Sequence, residues 1–337
     1  MVLIMSNQKV AIMGSGPGGS YLYSLLRKKK PEIETSIFDI PADNICGIKG
    51  CAWGLNYSLF SGLCQNIGLI TERYVLRKCD HVFLEDVKID ADIAVIDKPL
   101  FIHDMLSGEI PRNPLDANTE TYDRIIDATG YKRAYLSSFP ASRLLSTVQY
   151  RTIIPSVSVP HVFINDESGY AWIFPLNEGE VHIGAGSLDG IQEAMREVDK
   201  LCEQYKAGAI LCSCQENLWH DGPVSPVTEG KIWGLGESIG LVNPVSGAGI
   251  IPAMISAQLM LENWGDPQKY ELSIWKRYSY MIKEHDIAVK MVNKKLNIIE
   301  LLNEIGTLRA MSRDAGIAPQ LSKIKEYSRI KGLFYQV

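Results

Sequence analysis

The residues with the plainest chemical purpose are glycines near the start of the chain. Gly14, Gly16 and Gly19 follow the apolar run Val10-Ala-Ile12 and precede Leu22, Leu25 and Leu26, which recur at helical spacing. A strand, a glycine turn and a helix start, in that order, leave free N–H groups and the positive end of the helix dipole facing whatever lies over the turn. That arrangement favours a phosphate. Gly14 permits the tight turn, Gly16 keeps a side chain out of the path of a pyrophosphate, and Gly19 lets the helix pack on the strand, with Gly18 in the same turn. Asp39 closes the next apolar segment about 20 residues further on, where a carboxylate meets a ribose. The pattern predicts a dinucleotide-binding unit.

Two further constellations stand apart from this unit. Cys51 lies among Gly47, Gly50 and Gly54, so the backbone there can approach a ligand, and the thiol either faces that ligand or is a small buried residue. Tyr170, Trp172 and Phe174 alternate along Gly169-Tyr-Ala-Trp-Ile-Phe-Pro175, and the turn Asn177-Glu-Gly179 leads into a second strand ending at Gly186. Strand, turn and strand predict a hairpin whose three rings share one face, either against a core or along a pocket for a greasy or flat substrate.

The elements that must position these residues are read from periodicity. Short strands are expected over 80–84 and 93–96, then a helix opened by Asp97 with Pro99 in its first turn. A polar loop, 107–121, leads to a buried strand that ends in the small-residue turn Asp127-Ala-Thr-Gly130. Residues 144–186 are β-rich, 188–207 are helical, and Gly247-Ala248-Gly249 begin a second helix that starts on glycines, over 253–261. Residues 272–332 are mostly helical.

Composition narrows the class. The 337 residues suffice for two domains, and 46% apolar with 22% charged content is that of a soluble globular protein. A net charge of −5 and the lack of a basic patch interleaved with aromatics argue against nucleic acid, and Lys28-Lys-Lys30 reads as a solvated helix end. Seven cysteines without a disulfide-like framework predict reduced thiols and a cytoplasmic protein. Cys212-Ser-Cys214 lacks the second ligand pair that a zinc site needs, so no metal is expected. No apolar run approaches a membrane span.

Taken together, Gly14-Ser-Gly16-Pro-Gly-Gly19, Asp127-Ala-Thr-Gly130, and Gly236-Glu237 with Pro244 and Gly247-Ala-Gly249 resemble the FAD-binding fold of the para-hydroxybenzoate-hydroxylase type. Within that fold the chain resembles the archaeal geranylgeranyl reductases, through Cys51, Gly54-Leu55 and Tyr170-x-Trp172-x-Phe174-Pro175 with Gly184-x-Gly186. The resemblance implies a mixed α/β, α+β architecture. A Rossmann-like FAD domain (1–143 and 230–262) carries an inserted antiparallel β-sheet substrate domain (144–229), and a C-terminal helical segment (263–337) follows. It implies FAD as cofactor and reduction of carbon–carbon double bonds on isoprenoid chains of lipids.

By position, the resemblance assigns Gly14, Gly16, Gly18, Gly19, Asp39, Lys98, Asp127, Gly130, Gly236, Glu237, Gly247, Ala248 and Gly249 to FAD. Trp53, Tyr170, Trp172, Phe174 and Pro175 fall to the apolar substrate, and Cys51 to catalysis beside the flavin. The chain departs from the family's pattern in having Lys98 for arginine, Ile102 for aspartate and Glu237 for aspartate, and in a shortened stretch before Asp127. A monooxygenase or halogenase of the same fold is the alternative, and a non-catalytic FAD-binding relic a third. NAD(P)H and a ferredoxin are both open as electron donors, and a prenyl-lipid substrate leaves room for peripheral contact with a membrane surface.

Overall fold

The computed structural model describes residues 8–40, 52–139, 144–165, 169–292 and 305–318. Cys51 lies outside them.

In a five-stranded sheet β1 (Lys9–Met13) runs parallel to the edge strand β2 (Glu34–Phe38) on one side and to the central strand β6 (Arg124–Asp127) on the other. Beyond β6 come β13 (Ile232–Gly234), also parallel, and β12 (Thr228–Glu229). Strands buried on both faces read as unbroken apolar runs, and Val10, Ala11 and Ile12 are wholly buried. Alternation sends Val10, Ile12 and Ile126 into the main core with α1 (Pro17–Lys29) and α5 (Ile250–Glu262). Ala11, Met13 and Ile125 face a smaller cluster with Ala117 and Tyr122.

The second sheet has nine strands. β7 (Leu145–Ile153), β9 (Gly169–Pro175) and β10 (Glu180–Ser187) form its antiparallel centre, with β11 (Cys212–Leu218) on the edge beyond β7. On the other side β8 (His161–Asn165) joins β9 to β4 (Val75–Leu84), followed by β5 (Val87–Ile96). β5 then pairs with β3 (Gly54–Asn56) and with the C-terminal β14 (Ile317–Ala318). β4 and β8 run parallel, and their register consists of Phe83 opposite His161 and Leu84 opposite Val162. β4 and β5 are longer than the apolar segments that announce them, because the ladder continues through Arg77, Lys78 and Lys88, whose side chains are exposed.

One face of the β7–β10–β9 centre is covered by α4 (Ile191–Gln204). Val148, Ala171, Ile173, Val181, Ile183 and Ala185 meet Ala194, Val198 and Leu201 there. The hairpin of β9 and β10 turns at residues 176–179, as its sequence predicts. Helices α2 (Tyr57–Asn66), α3 (Lys98–Met105), α6 (Pro267–Tyr278), α7 (Tyr280–Val292) and α8 (Ile305–Ala315) complete the described elements.

The thiol expectation is corrected at one position. Cys212 is disulfide-bonded, whereas Cys64, Cys79 and Cys202 are free thiols. Oxidation of a spatial neighbour leaves no trace in the spacing of cysteines along the chain, which is what the expectation rested on. Among the described residues no cluster of His, Cys, Asp or Glu is arranged to hold a metal ion.

Candidate active site

The glycine turn forms as its sequence requires. Gly14 has φ of +115°, and a Cβ on it would lie 2.1 Å from the Ala128 carbonyl oxygen, so only glycine fits where β1 passes β6. A Cβ on Gly16 would meet no protein atom within 4 Å. Gly16 is also the N-cap of α1, Pro17 occupies the first turn, and no side chain caps the helix. The N-terminal N–H groups therefore face open space over the turn, as an anion site requires. At the end of β2, Asp39 Oδ2 accepts from the Ser15 amide at 2.7 Å and the Ser15 hydroxyl at 2.6 Å, and Oδ1 accepts from the Ile40 amide. The carboxylate thus joins the end of β2 to the glycine turn.

A second helix N-terminus converges on the first. α5 begins at Gly249, also without a side-chain cap. Ala253 in its first turn sits in a notch of small residues: a Cβ on Gly18 would lie 3.2 Å, and one on Gly236 2.9 Å, from the Ala253 Cβ. Small residues at these positions let the starts of α1 and α5 come together, and the two dipole ends favour the same anionic ligand.

Asp127 serves the site indirectly. Its carboxylate is fully buried and accepts from Thr129 N and Oγ1 and from the amides of Tyr135 and Leu136. Its lone pairs are spent shaping the loop that contains Gly130. Glu237 lies beside that loop: Oε1 accepts from the Trp219 amide at 3.1 Å, and Oε2 is 3.2 Å from where a Gly130 Cβ would sit. Trp219, absent from the sequence reading, also donates Nε1 to the Tyr131 carbonyl at 2.7 Å.

The aromatic hairpin supplies the wall opposite. Cross-strand register sets His182 beside Phe174, Gly184 beside Trp172 and Gly186 beside Tyr170. The Trp172 ring lies over Gly184, where a Cβ would be 2.4 Å from it, and Trp172 Nε1 donates to Gln149 Oε1 at 3.2 Å. At one end of the row, Phe174 packs onto Gly54, whose Cβ would fall 2.2 Å from the ring. At the other end, the Tyr170 hydroxyl oxygen is 2.1 Å from the position of a Gly247 Cβ. The wall therefore runs from the segment following Cys51 to the loop that starts α5. Pro175 falls on the opposite face by the same alternation, paired with Val181, and does not join the row.

Trp53 and His182 form a contact that the sequence does not reveal. Trp53 is nearly buried at φ of +64°, a conformation that costs a non-glycine residue about 1 kcal/mol or more. Its ring meets His182 edge to face at 4.4 Å. Trp53 Nε1 and His182 Nδ1 are both buried without a hydrogen-bond partner. Burial pushes the His182 imidazole down to about 3, despite its bond to the Ala52 backbone, and the charges of Arg151 and Lys98 act in the same direction. His182 is therefore neutral at neutral pH. Lys98, at the start of α3, is itself only 7% exposed.

No protein-family model matches the chain. Digeranylgeranylglycerophospholipid reductase from Thermoplasma acidophilum is 24% identical to it, over 83% of this chain and 84% of the relative. The solved structure of a geranylgeranyl bacteriochlorophyll reductase-like protein from the same organism has a TM-score of 0.69 at 17% identity, covering 96% of this chain and 99% of that one. A tryptophan 6-halogenase from Streptomyces toxytricini gives 0.62 at 12% identity, with 96% and 84% covered. Klebsiella pneumoniae HpxO complexed with FAD gives 0.59 at 14%, with 90% and 94% covered.

The fold is the one seen in HpxO complexed with FAD, and the open space over Gly16 fits the pyrophosphate of such a cofactor. In sequence the chain is similar to a digeranylgeranylglycerophospholipid reductase, and in fold to a geranylgeranyl bacteriochlorophyll reductase-like protein.

Proposed function

We propose that this protein reduces carbon–carbon double bonds in the prenyl chains of a lipid. The observation that carries the reading is the aromatic row on β9, which touches the α5 loop at Gly247 and the Gly54 segment at its other end. FAD, when bound and reduced, supplies the hydride. Gly14, Gly16, Gly18 and Gly19 with the start of α1 hold the pyrophosphate, Asp39 the ribose, and Glu237 with Gly130 and Gly236 the ribityl side. Gly247, Ala248 and Gly249 present the start of α5 to the flavin ring, and Lys98, whose charge reaches His182, is assigned to the cofactor as well. Tyr170, Trp172, Phe174 and Trp53 exclude water and orient the apolar chain.

Hydride addition leaves a carbon that needs a proton. Cys51, next to the Ala52 that meets His182, is assigned as its donor. Among the described residues no helix is long and apolar enough to cross a membrane, so the lipid would be reached by peripheral contact.

The test is anaerobic. Protein carrying reduced FAD is mixed with a geranylgeranyl lipid, and flavin reoxidation is followed alongside the mass of the lipid. Reoxidation with gain of a hydrogen pair per double bond supports the reading. Turnover only with oxygen present would indicate the monooxygenase or halogenase chemistry of the fold's other members. Cys51→Ser is expected to slow the lipid half-reaction by about 10²-fold while leaving flavin reduction unchanged.

A further inference from the structure

Behind the loop that starts α5 lies a polar network within the protein interior. Glu284 on α7 is fully buried, and each of its oxygens accepts from that loop: Oε1 from the Val245 amide at 3.1 Å, Oε2 from Asn243 Nδ2 at 3.0 Å. Asn243 Nδ2 also donates to the Tyr280 hydroxyl at 3.3 Å, and that hydroxyl donates to Asp314 Oδ2 at 2.6 Å. Asp314, on α8, pairs with Arg277 of α6 and with Arg313. Asn243 Oδ1 is buried without a partner. The loop closes on itself through Gly247 N to Asn243 O at 2.8 Å and Asn243 N to Ala248 O at 3.1 Å. Whatever fixes Asn243 and Val245 therefore fixes Gly247, Ala248 and Gly249.

A buried carboxylate is costly unless its acceptors are used, and both are used here on one short segment. We propose that Glu284, in its ionised form, is a positioning residue for FAD, holding the 243–249 loop in the shape that presents the start of α5 to the cofactor. The proposal rests on the flavoprotein reading above. A protonated carboxyl turns one acceptor into a donor facing an N–H group, so the loop loses one of its two anchors. The ionisable groups of the network are Tyr280 on α7, Asp314 and Arg313 on α8, and Arg277 on α6. Burial pushes Glu284 up to about 7, with Asp314 adding to the rise and the bonds from Val245 and Asn243 opposing it.

The experiment is titration of FAD into the FAD-free full chain, read by flavin fluorescence, from about pH 6 to about pH 8. Wild-type affinity is expected to rise with pH through about 7, by roughly tenfold, the scale of one hydrogen bond to a charged group. Glu284→Gln, with one acceptor oxygen, is expected to bind as weakly as the acid form and to lose the pH dependence. Asn243→Ala removes a bond that favours the ionised carboxylate, so the midpoint should move to higher pH, a shift that a merely structural role would not produce. Wild type and Glu284→Gln with equal affinities and flat profiles would overturn the proposal while leaving FAD binding intact. Failure of wild type to bind FAD at any pH would overturn the flavoprotein reading and this proposal with it.

Discussion

The Tyr170 hydroxyl occupies the space that a side chain on residue 247 would need, 2.1 Å from the would-be Cβ, and Gly247 has φ of +66°. Gly247→Ala therefore meets two separate obstacles, one steric and one conformational, the latter about 1 kcal/mol. FAD affinity should fall in Gly247→Ala and recover in part when Tyr170→Phe is added, because only the steric obstacle is relieved. Equal affinities of the single and double variants, measured by fluorescence titration, would remove the contact from the account. Gly16→Val probes the other helix start. Its side chain would meet no protein atom, so the chain should fold normally yet purify colourless. A fully yellow variant would show that no pyrophosphate lies over Gly16.

Among the elements, the β9–β10 hairpin converts a period-two pattern into a row of three rings on one face. On β10, Gly184 leaves room for the Trp172 ring, and His182 stands beside Phe174, the third ring of the row. Trp172→Ala should raise KM for a long prenyl chain by roughly tenfold or more while FAD affinity stays unchanged, the loss expected for one large apolar contact. Unaltered KM with a lowered Tm would make Trp172 a packing residue alone. This hairpin and the glycine turn were legible in the sequence because both obey local rules: alternation within a strand, and strand, turn and helix in succession. Glu284 carried no such signal. It lies within the helical pattern of α7, 41 residues from Asn243, and only the fold makes them partners. The same holds for His182, whose significance comes from its contact with Trp53. Asp127 was visible as a residue at a strand end, but its four donors come from the loop that it organises.

At the scale of the whole molecule, two buried groups bend the pH dependence of stability in opposite directions. Glu284 is raised from 4.5 to about 7, so the folded state holds its proton more tightly. Its contribution is complete below about 4.5 and is lost as pH rises through 7, on the order of 3 kcal/mol. His182 is lowered from 6.5 to about 3, so its contribution is complete above 6.5 and is lost as pH falls. Between about pH 4.5 and 6.5 the two slopes oppose each other. Urea midpoints should fall with rising pH in His182→Gln and with falling pH in Glu284→Gln, while wild type changes less than either. Parallel profiles for all three proteins would mean that neither group titrates as its surroundings dictate.

The nine-stranded sheet also has a seam. Every other neighbour along it is paired antiparallel, whereas β4 and β8 meet in parallel over two residue pairs. Pairing that is both parallel and two residue pairs long holds less firmly than the long antiparallel ladders on either side of it. Amide hydrogen exchange should therefore reveal the β4–β5 ribbon as a cooperative unit that opens before the β7–β10–β9 centre. Under mechanical load the molecule would tear first along this line, leaving the aromatic row whole on one fragment and the Gly54 segment on the other.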